Sequence, residues 1–141
     1  MRVLKISSVL LLFLVMLYAF TNGKPSKIFS NKQDPGMTVE TFLQKVNNPQ
    51  KIVLVYFSAD WCVPCIKLKP IIEQIETEEN AKVEILKIDV DKNPKVAQYF
   101  EINTLPLFMI YKNGKKVWEK NMYMEKSDLV SRIHFYAEEK K

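Results

Sequence analysis

The chain has few of the side chains that bind metals or activate nucleophiles. It contains two cysteines, Cys62 and Cys65, and a single histidine, His134. A structural zinc site takes about four such ligands, so neither a bound metal nor another cofactor is expected. A cysteine protease is also disfavoured, because no histidine is placed near Cys62 in the sequence. His134 lies in an amphipathic helical pattern and is interpreted as a partly buried packing residue.

Long runs of like charge are also absent. The 21 Lys and Arg residues exceed the 16 Asp and Glu residues and give a formal net charge of +5, but lysines and acids are interleaved. A nucleic-acid-binding surface needs its basic residues clustered on one face. The sequence therefore predicts a solvated basic surface and no nucleic-acid partner.

Residues 1–23 have the order of a secretory signal. A basic start is followed by an apolar stretch over residues 6–20 and by small residues at 21–23. This order predicts a signal peptide. The uncharged run at 6–23 approaches the roughly 20 apolar residues of a membrane span, so an uncleaved membrane anchor is the alternative. In either case a linker over residues 24–36 leads to a domain that we expect outside the cytoplasm.

The remaining residues, 37–141, alternate between helical and strand periodicity. The predicted order is α-β-α-β-α-β-β-α, which is typical of an α/β fold with parallel strands joined by helices and one terminal hairpin. We expect a central mixed sheet of about four strands with helices on both faces, and the first two strands are expected to be buried. The strands are predicted at residues 52–57, 83–90, 107–111 and 116–120, with the turn Asn113-Gly114 between the last two.

Four helices are predicted from caps and apolar spacing. Thr38 caps the first, the second follows the cysteines and contains Pro70, Asn93-Pro94 opens the third, and Ser127 caps the fourth. A proline inside a helix should kink it. The helix faces expected to be buried are, in chain order, Phe42, Leu43 and Val46; Leu68, Ile71, Ile72 and Ile75; Val96, Tyr99 and Phe100; and Val130, Ile133, His134 and Ala137.

Cys62 and Cys65 are separated by only two residues. A disulfide between them closes so short a ring that it restrains the unfolded chain little. It would therefore contribute little to the stability of the fold. A bond that opens and closes is the better interpretation. The pair follows a predicted strand and begins a helix, whose N-terminal N–H groups and partial positive charge stabilise a thiolate.

This position predicts different roles for the two sulfurs in disulfide exchange. Cys62, which we expect to be the more exposed, would attack a substrate disulfide, and Cys65 would then resolve the mixed disulfide. Pro64 is tolerated in the first helical turn and stiffens the short ring beside Val63. A pair of cysteines without a catalytic role is the alternative.

Several motifs and their spacing resemble the thioredoxin family over about residues 37–139. They are Trp61-Cys62-Val63-Pro64-Cys65, Pro70 five residues on, the strand at 86–91, Thr104-Leu105-Pro106, and Lys112-Asn113-Gly114. The resemblance implies a thioredoxin-like three-layer fold that carries a disulfide-exchanging dithiol.

The resemblance also implies a substrate-binding surface. It predicts a cis peptide bond between Leu105 and Pro106 that faces the cysteines and keeps metal ions away from them. The backbone of Leu105, next to Thr104, would then be presented to an extended substrate segment, and Trp61 would border the same groove. The alternatives are an ordinary trans proline, since X-Pro bonds are mostly trans, and a core position for Trp61.

Two features depart from the family pattern, the residue at 56 and the loop at 121–124. Thioredoxins carry a buried Asp in the strand before the motif, which moves protons in the second thiol step, and this chain has Tyr56 there. Lys87 matches the usual neighbour of that Asp but lacks its partner. Asp60 is the nearest acid in sequence and is interpreted either as active-site support or as an exposed carboxylate. The loop at 121–124 lacks the family's groove glycine, so its bulky side chains should change which partners dock.

The residues between the cysteines indicate a direction for the reaction. Oxidising relatives often have a histidine there, whereas Val63-Pro64 is closer to the Gly-Pro of reducing thioredoxins. We therefore expect a protein-disulfide reductase in the periplasm or cell envelope of a bacterium. Its partners would be disulfide-containing client proteins and a membrane electron-donor protein. A disulfide oxidase or isomerase is the first alternative, and a non-catalytic binding or chaperone module is the second.

Overall fold

Residues 36–138 are described by a computed structural model of the chain. The predicted signal or anchor at 1–23, and the linker apart from Gly36, lie outside the described residues. Within them, no helix combines the length and apolarity needed to cross a membrane. The elements follow the predicted order: α1 Val39–Val46, β1 Ile52–Ser58, α2 Val63–Glu78, β2 Val83–Asp89, α3 Pro94–Tyr99, β3 Leu107–Lys112, β4 Lys115–Lys120 and α4 Lys126–Glu138.

The four strands form one mixed sheet in the order β2-β1-β3-β4. β1 pairs in parallel with β2 and antiparallel with β3, and β3 pairs antiparallel with β4. Asn113 and Gly114 close the last hairpin with φ values of 52° and 75°. Positive φ at both central residues matches the twist of a tight two-residue hairpin. The predicted α/β fold and hairpin are therefore confirmed.

Helices pack on both faces of the sheet. Because side chains of a strand alternate between faces, Leu54 and Tyr56 of β1 point to one side and Val53, Val55 and Phe57 to the other. The first face packs against α2 and α4 through Leu68, Ile72, Ile75, Leu129 and Ile133. The second packs against α1 and α3 through Phe42, Val46 and Val96. The predicted three-layer arrangement is confirmed.

Strand β2 is less buried than its apolar sequence predicts. β1 is buried from Ile52 through Phe57, as expected, but in β2 only Val83 and Ile88 are buried. The prediction that β2 would be a buried strand was therefore wrong. The physical reason is its place at the edge of the sheet, where one side has no neighbouring strand.

Helix α4 begins two residues earlier than predicted, at Lys126 instead of 128. Ser127 lies inside it and does not cap it, because the carbonyl that accepts the first helical N–H groups belongs to Glu125. The buried residues of α4 are Leu129 and Ile133. Of the face predicted from the sequence, only Ile133 is fully buried, and the partly buried members are Val130, His134 and Ala137.

Two other helical residues predicted to be buried are exposed. Leu43 is 44% exposed and Tyr99 is 57% exposed, although Phe42 and Val96 on the same helices are fully buried. Short helices with eight and six residues bury only a narrow stripe, so neighbouring apolar positions remain at the surface. The cap at Thr38 is confirmed, since its side chain accepts the N–H of Thr41.

Candidate active site

The two cysteines lie where β1 leads into α2. β1 ends at Ser58, and Cys62 is the N-cap of α2, with Pro64 in the first turn. Cys62 and Cys65 form a disulfide with 5.2 Å between their Cα atoms. The Sγ atom of Cys62 also accepts the backbone N–H of Cys65 at 3.3 Å. The sulfur of Cys62 therefore occupies the site at which a helix N-terminus stabilises an anion.

Exposure does not distinguish the two cysteines. Cys62 is 4% exposed and Cys65 is 3% exposed, so the expectation that Cys62 is the more exposed sulfur is not met in the disulfide form. The cap position, and not exposure, is the observation that favours Cys62 as the nucleophile.

Trp61 lies at the surface beside this disulfide. Its side chain is 67% exposed, which is inconsistent with a core position. The indole Nε1 donates a hydrogen bond to Oδ2 of Asp91 at 2.9 Å. Asp91 follows β2, which runs parallel to β1, so the loops after both strands meet at one edge of the sheet. Sequence reasoning missed Asp91, although the predicted parallel pairing was the signal that could have identified it.

The first turn of α2 also presents apolar side chains to solvent. Val63 is 64% exposed and Ile66 is 58% exposed. Together with Trp61 they form an apolar rim beside the disulfide. Such a rim can contact an apolar segment of another protein, because large exposed apolar groups are characteristic of interaction sites.

The loop before β3 lies at the same edge of the sheet as the cysteines. The Leu105-Pro106 peptide bond is cis, as the family resemblance implies. Phe57 near the end of β1 is paired with Leu107 at the start of β3, which brings this loop next to the loop after β1. Leu105 packs against the buried cluster that contains both cysteines, whereas Thr104 is exposed. The Thr104-Leu105-Pro106 segment is thus placed beside the dithiol.

Tyr56 lies in the core directly next to Cys65. Its hydroxyl donates a buried hydrogen bond to the carbonyl oxygen of Cys65 at 3.1 Å. Burial raises the pKa of Tyr56 to about 12, and the Ser58 side chain offsets only part of this effect. Tyr56 therefore stays neutral at physiological pH and does not reproduce the charge of a buried carboxylate. The sequence showed that Tyr56 stands in place of the family's Asp, but it did not show the contact with Cys65.

Lys87 and Asp60 have partners away from the sulfurs. Nζ of Lys87 lies 2.7 Å from Oε2 of Glu76, which replaces the partner that sequence comparison found missing. Asp60 is 91% exposed and lies 3.6 Å from Lys92 Nζ, in agreement with an exposed carboxylate. Both Lys87 and Asp60 nevertheless line a cleft of about 230 Å³ that reaches Cys65.

His134 takes part in an interaction between helices. Its Nε2 lies 2.8 Å from Oε2 of Glu79 at the end of α2, and the pair is partly buried. His134 is partly buried, as expected, and its contact with Glu79 joins α4 to α2. In the part of the chain that the structure describes, no three His, Cys, Asp or Glu side chains are grouped as metal ligands.

Comparison with known proteins agrees with this geometry. The family model described as Thioredoxin matches residues 35–135. The chain belongs to the thioredoxin family. The dithiol at the N-terminus of α2 is accordingly a redox-active pair, and the protein is a thiol-disulfide oxidoreductase.

Relatives and solved structures in the thioredoxin family cover most of the described domain. The thioredoxin of Rickettsia bellii is 36% identical over 98 residues, which are 70% of this chain and 93% of the relative. A mutant thioredoxin from Halobacterium salinarum superimposes with a TM-score of 0.65 at 28% identity, over 77% of this chain and 96% of that chain. A thioredoxin of Malassezia sympodialis gives a TM-score of 0.62 at 31% identity, over 71% and 88%.

The loop that departs from the thioredoxin pattern is bulky at the surface. Met122 is 51% exposed and Tyr123 is 36% exposed, whereas Met124 is buried in the cluster that contains the cysteines. The loop is therefore anchored by Met124 and presents two large side chains to solvent. Its effect on which partners dock stays a prediction.

Proposed function

We propose that this thioredoxin-family protein reduces disulfides of client proteins outside the cytoplasm. The observation that carries the direction is the first turn of α2, in which Val63 and Pro64 separate the cysteines. Neither side chain supplies a positive charge or a hydrogen bond to a Cys62 thiolate, and Pro64 also lacks a backbone N–H. The N-cap site therefore stabilises the thiolate without help from its two closest neighbours.

Weak stabilisation of the thiolate favours a reductant. Groups that stabilise the thiolate also stabilise the reduced protein and raise its reduction potential. We therefore expect a reduction potential close to that of thioredoxin, which is about −270 mV. Strongly oxidising relatives have potentials of about −120 mV. The potential can be measured by equilibrating the full chain with dithiothreitol redox couples. A value above about −150 mV would show that the protein acts as an oxidant.

The reaction proceeds by two exchanges that conserve electrons. The Cys62 thiolate attacks one sulfur of the client disulfide, which forms a mixed disulfide and releases the first client thiolate. The Cys65 thiolate then attacks the sulfur of Cys62, and the second client thiolate leaves. Two electrons pass from the protein to the client, and the Cys62–Cys65 disulfide is the product.

Trapping in the native host tests this assignment. Cys65→Ser should accumulate client proteins as mixed disulfides with Cys62, since the resolving thiol is absent. The matched variant Cys62→Ser should accumulate none. Absence of trapped clients in Cys65→Ser would contradict the roles given to the two sulfurs. Refolding assays with scrambled substrates distinguish a reductase from an isomerase.

The proposed location rests on residues 1–23 and their basic, apolar and small segments. In an oxidising compartment a reductase needs electrons from elsewhere, so we propose a membrane electron-donor protein as its partner. An alkaline phosphatase fused after the full chain should be active, because this reporter folds only outside the cytoplasm. An inactive fusion would indicate that the domain lies inside the cytoplasm. The N-terminal sequence of the mature protein separates a cleaved signal from an anchor.

A further inference from the structure

We propose that Tyr56 is a positioning residue for the second exchange, in which it holds the Cys65 peptide so that the Cys65 sulfur is aligned for attack on Cys62. The hydroxyl of Tyr56 donates to the Cys65 carbonyl oxygen at 3.1 Å, and this hydrogen bond is buried. The inference rests on the exchange chemistry of the dithiol. It holds for either direction of net reaction and is therefore independent of the proposed reductase function.

Tyr56 is itself held rigidly by the sheet. It is 4% exposed, and its ring stacks on that of Phe108 with 5.1 Å between centroids and 18° between planes. The two residues lie directly opposite each other on β1 and β3, the central strands. A hydroxyl held in this way connects the first turn of α2 to the two central strands of the sheet.

The bond acts on Cys65 and not on Cys62. Cys62 has a separate backbone anchor, because its N–H donates to the Ala59 carbonyl at 3.1 Å. When the disulfide opens, Cys65 loses its covalent link to Cys62 and relies on the position of its own backbone. Attack on a disulfide requires close approach and alignment, and a displacement of about 1 Å can slow such a step greatly. The second exchange therefore depends on the Tyr56 contact. The first depends on the N–H of Cys65, which donates to Cys62 Sγ and belongs to the preceding peptide unit, so we expect it to be unaffected.

Tyr56 does not need to carry the proton of Cys65. The cleft beside Cys65 is lined by charged side chains, namely Asp60, Lys69, Lys87 and Asp89. The Cys65 thiol can lose its proton to water in this cleft, and the resulting thiolate attacks the Cys62 sulfur and displaces the client thiolate. The hydroxyl of Tyr56 stays protonated throughout, since its pKa is raised to about 12.

The test compares Tyr56→Phe with Tyr111→Phe in the full chain. Tyr111 is also 4% exposed, but it packs on the opposite face of the sheet, where its hydroxyl lies 3.8 Å from Met109 Sδ. Reduced protein is mixed with a fluorogenic disulfide peptide, and samples are quenched with acid at successive times. Mass spectrometry of these samples measures the amount of mixed disulfide at each time. The first exchange is measured separately in the Cys65→Ser background.

We expect Tyr56→Phe to lengthen the lifetime of the mixed disulfide about fivefold, the effect of one lost hydrogen bond. The rate of the first exchange and the pH midpoint of the second should stay unchanged, and Tyr111→Phe should change neither rate. An unchanged lifetime would overturn the proposal. So would equal slowing of both exchanges, or loss of cooperative unfolding, because either shows a general structural role. A shifted pH midpoint would show that Tyr56 handles the proton instead.

Discussion

Replacing Asp91 with alanine should weaken client binding without slowing the chemistry of the dithiol. Trp61 is 67% exposed, and its indole Nε1 is held by Oδ2 of Asp91 at 2.9 Å. A hydrogen bond to a charged acceptor contributes up to about 3 kcal/mol, which we discount to about 1 kcal/mol because this one is at the surface. Without it the indole must be ordered when the client binds, so KM should rise about fivefold.

The assay compares two substrates at a fixed concentration of reduced protein. A protein disulfide, such as that of insulin, contacts the surface around Trp61, whereas a small aromatic disulfide tests only the reactivity of Cys62. We expect Asp91→Ala to raise KM for the protein substrate and to leave the rate with the small disulfide unchanged. Asp91→Asn keeps a neutral acceptor and should lie between Asp91→Ala and the unmodified protein.

Glu84→Ala is the matched control. Glu84 is an exposed acid at the opposite end of β2, and its carboxylate also accepts a side-chain hydrogen bond, from Asn48 at 2.7 Å. Its removal changes the net charge by the same amount and should not alter KM. An equal loss of rate with both substrates in Asp91→Ala would refute the reasoning, since Asp91 would then act on the dithiol. An unchanged KM would show that the orientation of Trp61 does not matter.

Three further predictions concern stability and can be measured by urea unfolding. Burial raises the pKa of Asp89, but hydrogen bonds from Lys92 and from backbone N–H groups outweigh this effect and hold the pKa below its ordinary value. This stabilisation is complete above about pH 4 and is lost as pH falls through the lowered pKa, so Asp89→Asn should cost about 1 kcal/mol at neutral pH and little in strong acid. Gly36→Ala should destabilise the domain by about 2 kcal/mol or more, because φ is +66° and the added Cβ would lie 2.1 Å from the Lys92 carbonyl oxygen. An unchanged midpoint would show that Gly36 is not packed there. Phe42→Ala should cost about 3–5 kcal/mol, since Phe42 is fully buried against three other rings. A loss below about 1 kcal/mol would contradict its central place in that core.

The features predicted correctly depend on residues close together in the chain. The Thr38 cap forms within one helical turn, and the Asn113-Gly114 hairpin requires only two residues with positive φ. The strand before Cys62 is recognised by an unbroken apolar run, because a strand covered on both faces has no polar side. The prediction of the last helix was wrong at Ser127, because more than one nearby residue could begin that helix. The backbone carbonyl of Glu125 begins it, without a side-chain cap.

The family, the α/β order and the place of the dithiol at a strand–helix junction could all be predicted from the sequence, because motif spacing and hydrophobic periodicity are local properties of the chain. The distant residues that surround the dithiol are known only from the folded chain. Strand pairing brings Asp91 to Trp61 across 30 positions and sets Tyr56 between Phe108 and the Cys65 carbonyl. The edge position of β2 is likewise a property of strand order. Such contacts depend on how strands pair and helices pack, and no short stretch of sequence contains that information.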